Sequence, residues 1–337
     1  MDSETDNDPR LTGLINLADA SLGGEALFAN DEFFGAKERM LNPDEPTFRP
    51  NTYDDHGQWM DGWETRRRRD DGHDHCIVRL AYPGVVRYVD LDTRHFTGNY
   101  PPRASVEAGN GADPLDAGVS WTELLPVKDL AGNQHNVFPV DQDDSWQYVR
   151  LNIFPDGGIA RLRVYGEIRP DWNAVGDETV LDLFAIDNGG AAIACNDQHF
   201  GNIRNLNKPG RGKDMGDGWE TRRRREPGFD WVIVRLGHPG HIRRVAVDTA
   251  HFRGNYPGQV SMNAALVSGV GDTSVDELSA ASMEWPVLLP PQSVGPDAEH
   301  AFTVELADPG PVSHVRINLH PDGGVSRVRI HGSLART

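Results

Sequence analysis

Cysteine is scarce in this chain, which holds only Cys76 and Cys195 among 337 residues. Two cysteines at non-equivalent places cannot build the multi-bridge framework that stabilises small secreted domains. Long apolar runs are also lacking, since no segment approaches the roughly 18 apolar residues that span a bilayer. Both deficits favour a cytoplasmic protein without disulfides and without a membrane partner.

Positive charge is the next deficit, because 33 basic residues face 51 acidic ones and the formal net charge is −18. Such an excess repels nucleic acid and anionic membranes and therefore argues against both as partners. The N-terminus is acidic and polar, unlike the basic and apolar start of a signal peptide. We expect residues 1–10 to form a disordered tail.

Convincing amphipathic helices are few, and the best candidate is the short segment around Phe33 to Leu41, before Pro43. Strand patterns dominate instead: Val149, Leu151 and Ile153 alternate with polar residues, the period of a half-buried strand. The chain is punctuated by 36 glycines and 23 prolines. These features predict an all-β fold of antiparallel sandwiches.

Turn chemistry follows this strand in the segment Pro155-Asp156-Gly157-Gly158. Proline fixes φ and glycine accepts positive φ, so the segment suits a tight turn. We expect a β-hairpin with Arg161 and Arg163 on its outward face, repeated from Val315 to Ile330. The turn explains most of this motif, although the outward arginines could also contact an anion.

The chain contains an internal duplication, because the nine residues from Asp61 to Arg69 recur unchanged from Asp217 to Arg225. A match of this length between halves identifies a tandem repeat. The repeat predicts two domains, residues 11–169 and residues 178–335, joined by a short linker. Identity between the copies is the selection signal that one sequence offers, and it can reflect either the fold or a site.

Four consecutive arginines end the duplicated segment in each copy. In an extended chain Arg66 and Arg68 face one way while Arg67 and Arg69 face the other. One pair could brace acidic loops, and the other could bind an anion through the planar guanidinium fork. The candidate anion ligands are Arg66, Arg68, Arg222 and Arg224, and the preceding Glu64 and Glu220 are candidate bases or acceptors.

A second retained motif runs from Asp92 to Pro101 and matches Asp248 to Pro257. It follows a predicted strand, and loops at strand ends commonly carry function. Histidine is a common general acid or base, so His95 and His251 are candidates for that role. The alternative is a histidine that is hydrogen-bonded within a turn. Asn99 and Asn255 resemble turn formers, although their amides could also bind a substrate.

Several carboxylates and imidazoles lie around the first arginine segment only. Groups of this kind can hold a divalent ion, but solvated loops are commonly this polar. No metal motif or phosphate-binding loop supports a cofactor, so none is assigned, and a divalent metal ion is kept as an alternative. The residues concerned are Asp54, Asp55, His56, His73, Asp74 and His75.

Three parts of the chain resemble the allantoicase family: the duplicated segment, the stretch from Asn30 to Glu38 upstream of it and the stretch from His95 to Pro101 downstream. The resemblance extends from Leu14 to about Gly332 and includes both copies. It implies two tandem jelly-roll β-sandwiches of the galactose-binding-like type and a homo-oligomer. It also implies hydrolysis of allantoate to ureidoglycolate and urea, a step of purine breakdown. The second copy reads Asn196 to Gly201 with Gln198 and His199 in place of Glu32 and Phe33, so the two sites need not be equivalent.

Allantoate joins a carboxylate to two ureido groups, which require forked donors, acceptors, a base and a proton for the departing urea. Residue type and retention in both copies suggest the allocation as a hypothesis, with substrate binding by Arg66, Arg68, Arg222, Arg224, Asn99 and Asn255. Catalysis is assigned to Glu64, His95, Glu220 and His251. The rival functions are a non-catalytic tandem ligand-binding module and an inactive scaffold, since fold alone does not settle function.

Overall fold

Both copies of the repeat fold into strands joined by turns and short 3-10 helices. The computed structural model describes residues 8–116, 118–267 and 274–336. It divides into a first unit, Leu14–Arg169, and a second unit made of Met1–Gly13 with Pro170–Thr337. The all-β prediction, with a β-sandwich in each copy, is confirmed.

The first unit contains twelve strands among its described residues, numbered in chain order. They are β1 (Ile15–Asn16), β2 (Glu25–Ala29), β3 (Tyr53–Asp54), β4 (Gly57–Gln58), β5 (Trp63–Glu64), β6 (Asp74–Asp92), β7 (Arg103–Gly109), β8 (Thr122–Asp129), β9 (Val137–Pro139), β10 (Ser145–Phe154), β11 (Gly158–Ile159) and β12 (Arg161–Glu167). Two 3-10 helices accompany them, Ala20–Leu22 and Lys37–Leu41.

The second unit repeats this order with ten strands in the part of the chain that the structure describes. They are β13 (Leu181–Asp182), β14 (Ala191–Cys195), β15 (Trp219–Glu220), β16 (Asp230–Asp248), β17 (Gln259–Ala265), β18 (Val287–Ser293), β19 (Glu299–Phe302), β20 (Val312–His320), β21 (Gly324–Val325) and β22 (Arg327–Leu334). It also has one α-helix, α1 (Val275–Ala281), and 3-10 helices at Pro9–Leu11, Trp172–Ala174, Ile186–Asn188, Ile203–Asn205, Met215–Asp217 and Ser282–Glu284.

One long strand organises each unit. In the first unit the beginning of β6 pairs with β2 and β10, and its end pairs with β12 and β9. Strand β16 has the same arrangement between β14, β20, β22 and β19. A 19-residue strand is long enough to contribute to both layers of a sandwich.

The predicted hairpin around Pro155 to Gly158 is wrong. Strands β10 and β12 lie on either side of β6 and both pair with it. The same holds for β20 and β22 on either side of β16. Alternation identified the strands correctly, but it cannot identify partners, because a turn sequence also suits a connection between strands that do not pair.

The core follows the predicted alternation, and the polar face does not. Val149, Leu151 and Ile153 are fully buried in the first core, as predicted. Arg161, expected on the outward face, is also fully buried, and so is Asp90. They are tolerated there because each is paired, Asp90 with His135 and Arg161 with the carboxylate of Asp61.

The helix expected around Phe33 to Leu41 forms only in its second half, as the five-residue 3-10 helix Lys37–Leu41. Gly35 instead makes a β-bridge with Glu64. The expected tail, residues 1–10, overlaps the 3-10 helix Pro9–Leu11, and its first seven residues lie outside the described ones. Within the described ranges, no helix is long and apolar enough to cross a membrane.

Candidate functional site

The duplicated segment enters each fold through a buried tryptophan. Trp63 and Trp219 are fully buried. The indole Nε1 of Trp63 donates to the carbonyl of Asp31 at 2.8 Å, and Trp219 does the same to Asp197 at 2.8 Å. A buried indole N–H needs such an acceptor. The tryptophan therefore fixes both the segment and the loop that carries the aspartate.

Three retained motifs meet beside this tryptophan in the first unit. Thr65 accepts from the Gly157 amide at 3.1 Å, which joins the arginine segment to the Pro155–Gly158 turn. The Gly158 amide donates to the Asn99 carbonyl at 2.7 Å, which joins that turn to the histidine loop. Asn99 donates in turn to Glu64 at 2.7 Å, which closes the circuit.

The second unit closes the same circuit through Thr221, Gly323, Gly324, Asn255 and Glu220. The glycine is required, because a Cβ on Gly324 would lie 2.1 Å from the Phe252 ring. The three motifs were retained together because they build one local structure twice.

Glu64 is the half-buried carboxylate of this structure. Burial raises the pKa of Glu64, and the hydrogen bond from Asn99 lowers it by less. Asn255 donates to Glu220 in the same way at 2.5 Å. A carboxylate whose protonated form is favoured by burial can exchange a proton nearer to neutral pH than an ordinary glutamate.

Arg66 is held in place but keeps its fork free. Its amide and Nε donate to the Asp31 carboxylate at 2.9 and 3.1 Å. Arg222 makes the same contacts with Asp197, at 3.0 and 2.8 Å. The two arginine side chains are 62% and 66% exposed. Their terminal nitrogens make no hydrogen bond with the described residues, and the Arg66 guanidinium lies 5.2 Å from the centre of the Phe33 ring. Each arginine therefore keeps exposed terminal donors two residues after the glutamate.

Arg68 and Arg224 have a different environment. Arg68 binds Asp70 through Nε and Nη2 and binds Asp74 through Nη1 at 2.5 Å. Arg224 binds Asp230 through Nε and Nη2. These contacts brace acidic loops and occupy the nitrogens that a substrate would need. Their predicted role as substrate ligands stays a prediction.

The alternate arginines, Arg67 and Arg69 with Arg223 and Arg225, are exposed. None of them makes a hydrogen bond or ion pair with the described part of the chain. The extended geometry predicts two kinds of arginine, but the structure shows three in each copy. One arginine binds the carboxylates of acidic loops, one is oriented by an aspartate with its terminal nitrogens exposed, and two are solvated.

His95 and His251 occupy a strained place in the second motif. Their φ angles are +70° and +72°, a left-handed conformation that is uncommon outside glycine. Nε2 of His95 lies 3.0 Å from the Pro46 carbonyl, and Nε2 of His251 lies 2.7 Å from the Gly212 carbonyl. No hydrogen bond within the described residues joins either ring to Glu64 or Glu220. The hydrogen bond within the turn uses Nε2 of each ring, and Nδ1 is the nitrogen that could exchange a proton.

One group of potential metal ligands lies among the described residues: ligand atoms of Glu45, Asp92 and His135 fall within 4.8 Å of one another. None of the six residues expected for a metal belongs to it. Arg94 donates to both carboxylates, and Arg163 donates to Glu45 at 3.0 Å. These guanidinium charges already neutralise the carboxylates and would repel a divalent cation.

Sequence reasoning missed Asp31 and Asp197, which orient the free arginines. Salt bridges to those arginines and amide hydrogen bonds outweigh the effect of burial and lower the pKa of both carboxyl groups. The signal was present, since an Asn-Asp pair occurs at Asn30 and again at Asn196. Double retention would have selected these aspartates as it selected the glutamates.

A family model, the allantoicase repeat, matches residues 15–169 and 181–335 of this chain. A probable allantoicase of Burkholderia pseudomallei is 56% identical over 323 residues, 95% of each chain. One of Ralstonia nicotianae is 55% identical over 321 residues, covering 95% of this chain and 94% of that one. The crystal structure of allantoicase from Saccharomyces cerevisiae matches with a TM-score of 0.80 and 32% identity, over 95% of this chain and 93% of that chain. The matched ranges include both candidate sites.

Proposed function

This chain belongs to the allantoicase family, and we propose that it hydrolyses allantoate to ureidoglycolate and urea at two sites, one in each unit. The first site is built by Glu64, Arg66 and Asn99, and the second by Glu220, Arg222 and Asn255. The observation that supports this proposal most is the pairing of a half-buried glutamate with an oriented arginine whose fork is free. That pairing occurs twice with the same partners.

The arginine suits the carboxylate of allantoate. Asp31 and Asp197 hold Nε, which leaves the terminal nitrogens for a charge-assisted bond to the substrate. Once the carboxylate is bound there, the ureido groups on the adjacent carbon come within reach of the glutamate and the asparagine. The asparagine carbonyl and the glutamate are acceptors for ureido N–H groups.

The glutamate suits the proton transfers. Cleavage of one C–N bond places a hydroxyl on the carbon of the product and a proton on the departing urea. A general base takes the proton from the attacking water, and its protonated form can return a proton to the leaving nitrogen. We assign this exchange to Glu64 and Glu220, with His95 and His251 as further proton carriers through the ring nitrogen that the loop carbonyl does not occupy.

The arginine assignment is tested by a double variant with a matched control. Arg66→Ala combined with Arg222→Ala should raise KM for allantoate about 10- to 100-fold, because a hydrogen bond to a charged group contributes about 1.5–3 kcal/mol. Arg67→Ala combined with Arg223→Ala removes the same charge from solvated neighbours and should leave KM within about twofold. Urea release is the readout, and a chelator added to the same assay tests the requirement for a divalent metal. Equal effects of the two double variants would show that only overall charge matters.

The histidine assignment is tested by Asn, which tolerates the left-handed conformation that His95 and His251 adopt. Each of His95→Asn and His251→Asn should lower kcat to about half, since one site remains, and the combination should lower it at least tenfold. The circular dichroism and unfolding midpoint should stay close to those of the wild type. Near-normal turnover in the combined variant would remove both histidines from the mechanism.

We also propose that the protein works in the cytosol as a homo-oligomer. Cys76 is a buried free cysteine, which suits a reducing compartment. Sedimentation velocity of the purified chain measures the number of subunits.

A further inference from the structure

The second unit contains a polar cavity of about 470 Å³. It lies on one face of three adjacent strands, because β22 and β19 both pair with the end of β16. Its lining includes Arg211, Ala246, Asp248, Glu299, Arg327 and Arg329. None of them belongs to the proposed catalytic sites.

The register shows what the first unit places at the same positions. Arg329 pairs with Ala246 and Arg163 pairs with Asp90, so Ala246 stands where the first unit has Asp90. By the same register Glu299, opposite Asp248, corresponds to His135, which lies beside Asp90 in the first unit. Two positions on these strands therefore differ between the units: Ala246 replaces Asp90, and Glu299 replaces His135.

The covering loop differs as well. His95 contacts the carbonyl of Pro46 and His251 contacts that of Gly212, so Arg211 corresponds to Glu45. In the first unit Glu45 binds Arg94 and Arg163. In the second unit the counterpart of Arg94 is Ala250. The first unit thus fills this face with its own ion pairs, while the second unit leaves it open.

The charge of the cavity is uneven. Three guanidinium groups line it against the two carboxylates of Asp248 and Glu299. Beyond the lining, three carboxylates lie near the arginines and three cations lie near the acids, so the two sets cancel; they are Asp182, Asp217 and Asp297, and Lys208, Arg244 and Arg253. One positive charge is therefore in excess on a protein whose net charge is −18.

Two arginines of the cavity are incompletely satisfied. Nε of Arg327 is buried and has no hydrogen-bond partner. Arg211 is 61% exposed and approaches its two carboxylate neighbours, Asp248 and Asp297, only to 3.5 and 4.0 Å. Burial lowers the pKa of Arg329, whose Nη2 reaches only the carbonyls of Lys208 and Gly210. Buried cations without a full set of partners gain from an anion that supplies them.

We propose that this cavity binds a small monocarboxylate that carries a ureido group, with its carboxylate on Arg211 and the buried arginines. The ureido N–H groups then donate to Asp248 and Glu299. This assignment takes from the proposed function only the compound class to which its substrate and product belong. The chemistry requires both parts of the ligand, since the carboxylate matches the excess cation and the N–H donors match the two acids.

N-carbamoylglycine, a stable compound with one carboxylate and one ureido group, is the probe. Calorimetric titration of the full chain should show one binding component per chain in this cavity. Ala246→Asp restores the carboxylate of the first unit, and Arg211→Ala removes the exposed cation. Each should weaken that component at least tenfold, whereas Arg79→Ala, which removes an exposed paired arginine of the first unit, should not. Glycolate and urea, each with one half of the probe, should bind at least tenfold more weakly than the probe.

The double variant Arg66→Ala with Arg222→Ala separates this site from the catalytic ones, because it removes the arginines proposed to bind a carboxylate there. The component should survive in that variant, and Ala246→Asp should keep urea release from allantoate. Absence of the component in the wild type, or its survival in both cavity variants, would overturn the inference. Loss of both binding and urea release in Arg211→Ala would support the binding site but contradict the catalytic sites proposed above. Unfolding midpoints equal to that of the wild type confirm that each variant is folded.

Discussion

Replacing Glu64 and Glu220 together with Gln is expected to lower kcat for allantoate by about 10²- to 10⁴-fold, the range for loss of a general acid–base group. Gln has nearly the same shape and can still hydrogen-bond Asn99 and Asn255, but it cannot accept a proton. Each single variant should keep about half of the activity, because each unit builds its own pair of glutamate and asparagine. Initial rates of urea release at saturating allantoate measure both effects. Loss of all activity in one single variant would show that the sites are not independent.

The pH dependence gives a second readout of the same change. Since burial raises the pKa of Glu64, its acid limb in kcat/KM should lie above the ordinary range for glutamate. That limb should disappear from the activity of Glu64→Gln. A raised pKa affects the free energy of unfolding in the opposite direction to a salt bridge. Ionised Glu64 destabilises the fold, so the loss of stability is absent in acid and grows as pH rises from the pKa of an unfolded glutamate to the raised pKa of Glu64. At neutral pH the Gln variant should therefore unfold no more easily than the wild type.

Trp63→Ala is expected to destabilise the first unit by about 3–5 kcal/mol, the usual range for truncation of a large buried aromatic residue. Trp63 is fully buried in the first core, and its indole N–H donates to the Asp31 carbonyl. Truncation to alanine therefore loses both the packing and this hydrogen bond. The loss also frees the Asp31 loop, so Arg66 should lose its orientation and activity at the first site should fall. Chemical denaturation monitored by circular dichroism measures the stability.

Trp63→Phe is the matched control, because it keeps an aromatic ring in the core and removes the indole N–H. It should cost less than Trp63→Ala, with about 0.5–1.5 kcal/mol from the lost hydrogen bond. Trp219→Ala should behave like Trp63→Ala in the second unit. Stability close to that of the wild type in Trp63→Ala would contradict the account of how the arginine segment is anchored.

The duplication and the strand alternation were sufficient to predict the repeat and the all-β class. They could not predict that β10 and β12 both pair with β6, because side-chain periodicity records which face is buried and not which strand is the neighbour. The same limit explains Arg161. Its alternation with apolar residues suggested an outward side chain, whereas its partner Asp61 lies 100 positions away and only the fold brings them together.

Double retention selected Glu64 and Asn99, whose side chains are hydrogen-bonded, and it selected three motifs that contact one another. It did not separate Arg66 from Arg68, because retention does not show which carboxylates they bind: Arg66 binds the distant Asp31, whereas Arg68 binds the nearby Asp70 and Asp74. A search for residues retained in both copies could not find the open face of the second unit. It arises where the copies differ, at Ala246 and Arg211, and a search for identity passes over such positions.

Product analysis of the purified chain with allantoate tests the central claim most directly. Urea and ureidoglycolate measured in the same samples should appear in equal amounts, and both should fall to background in the Glu64→Gln, Glu220→Gln double variant. Release of no urea from allantoate under any metal-ion condition, or undiminished release by the double variant, would contradict the assignment of this reaction to the two glutamate–arginine sites.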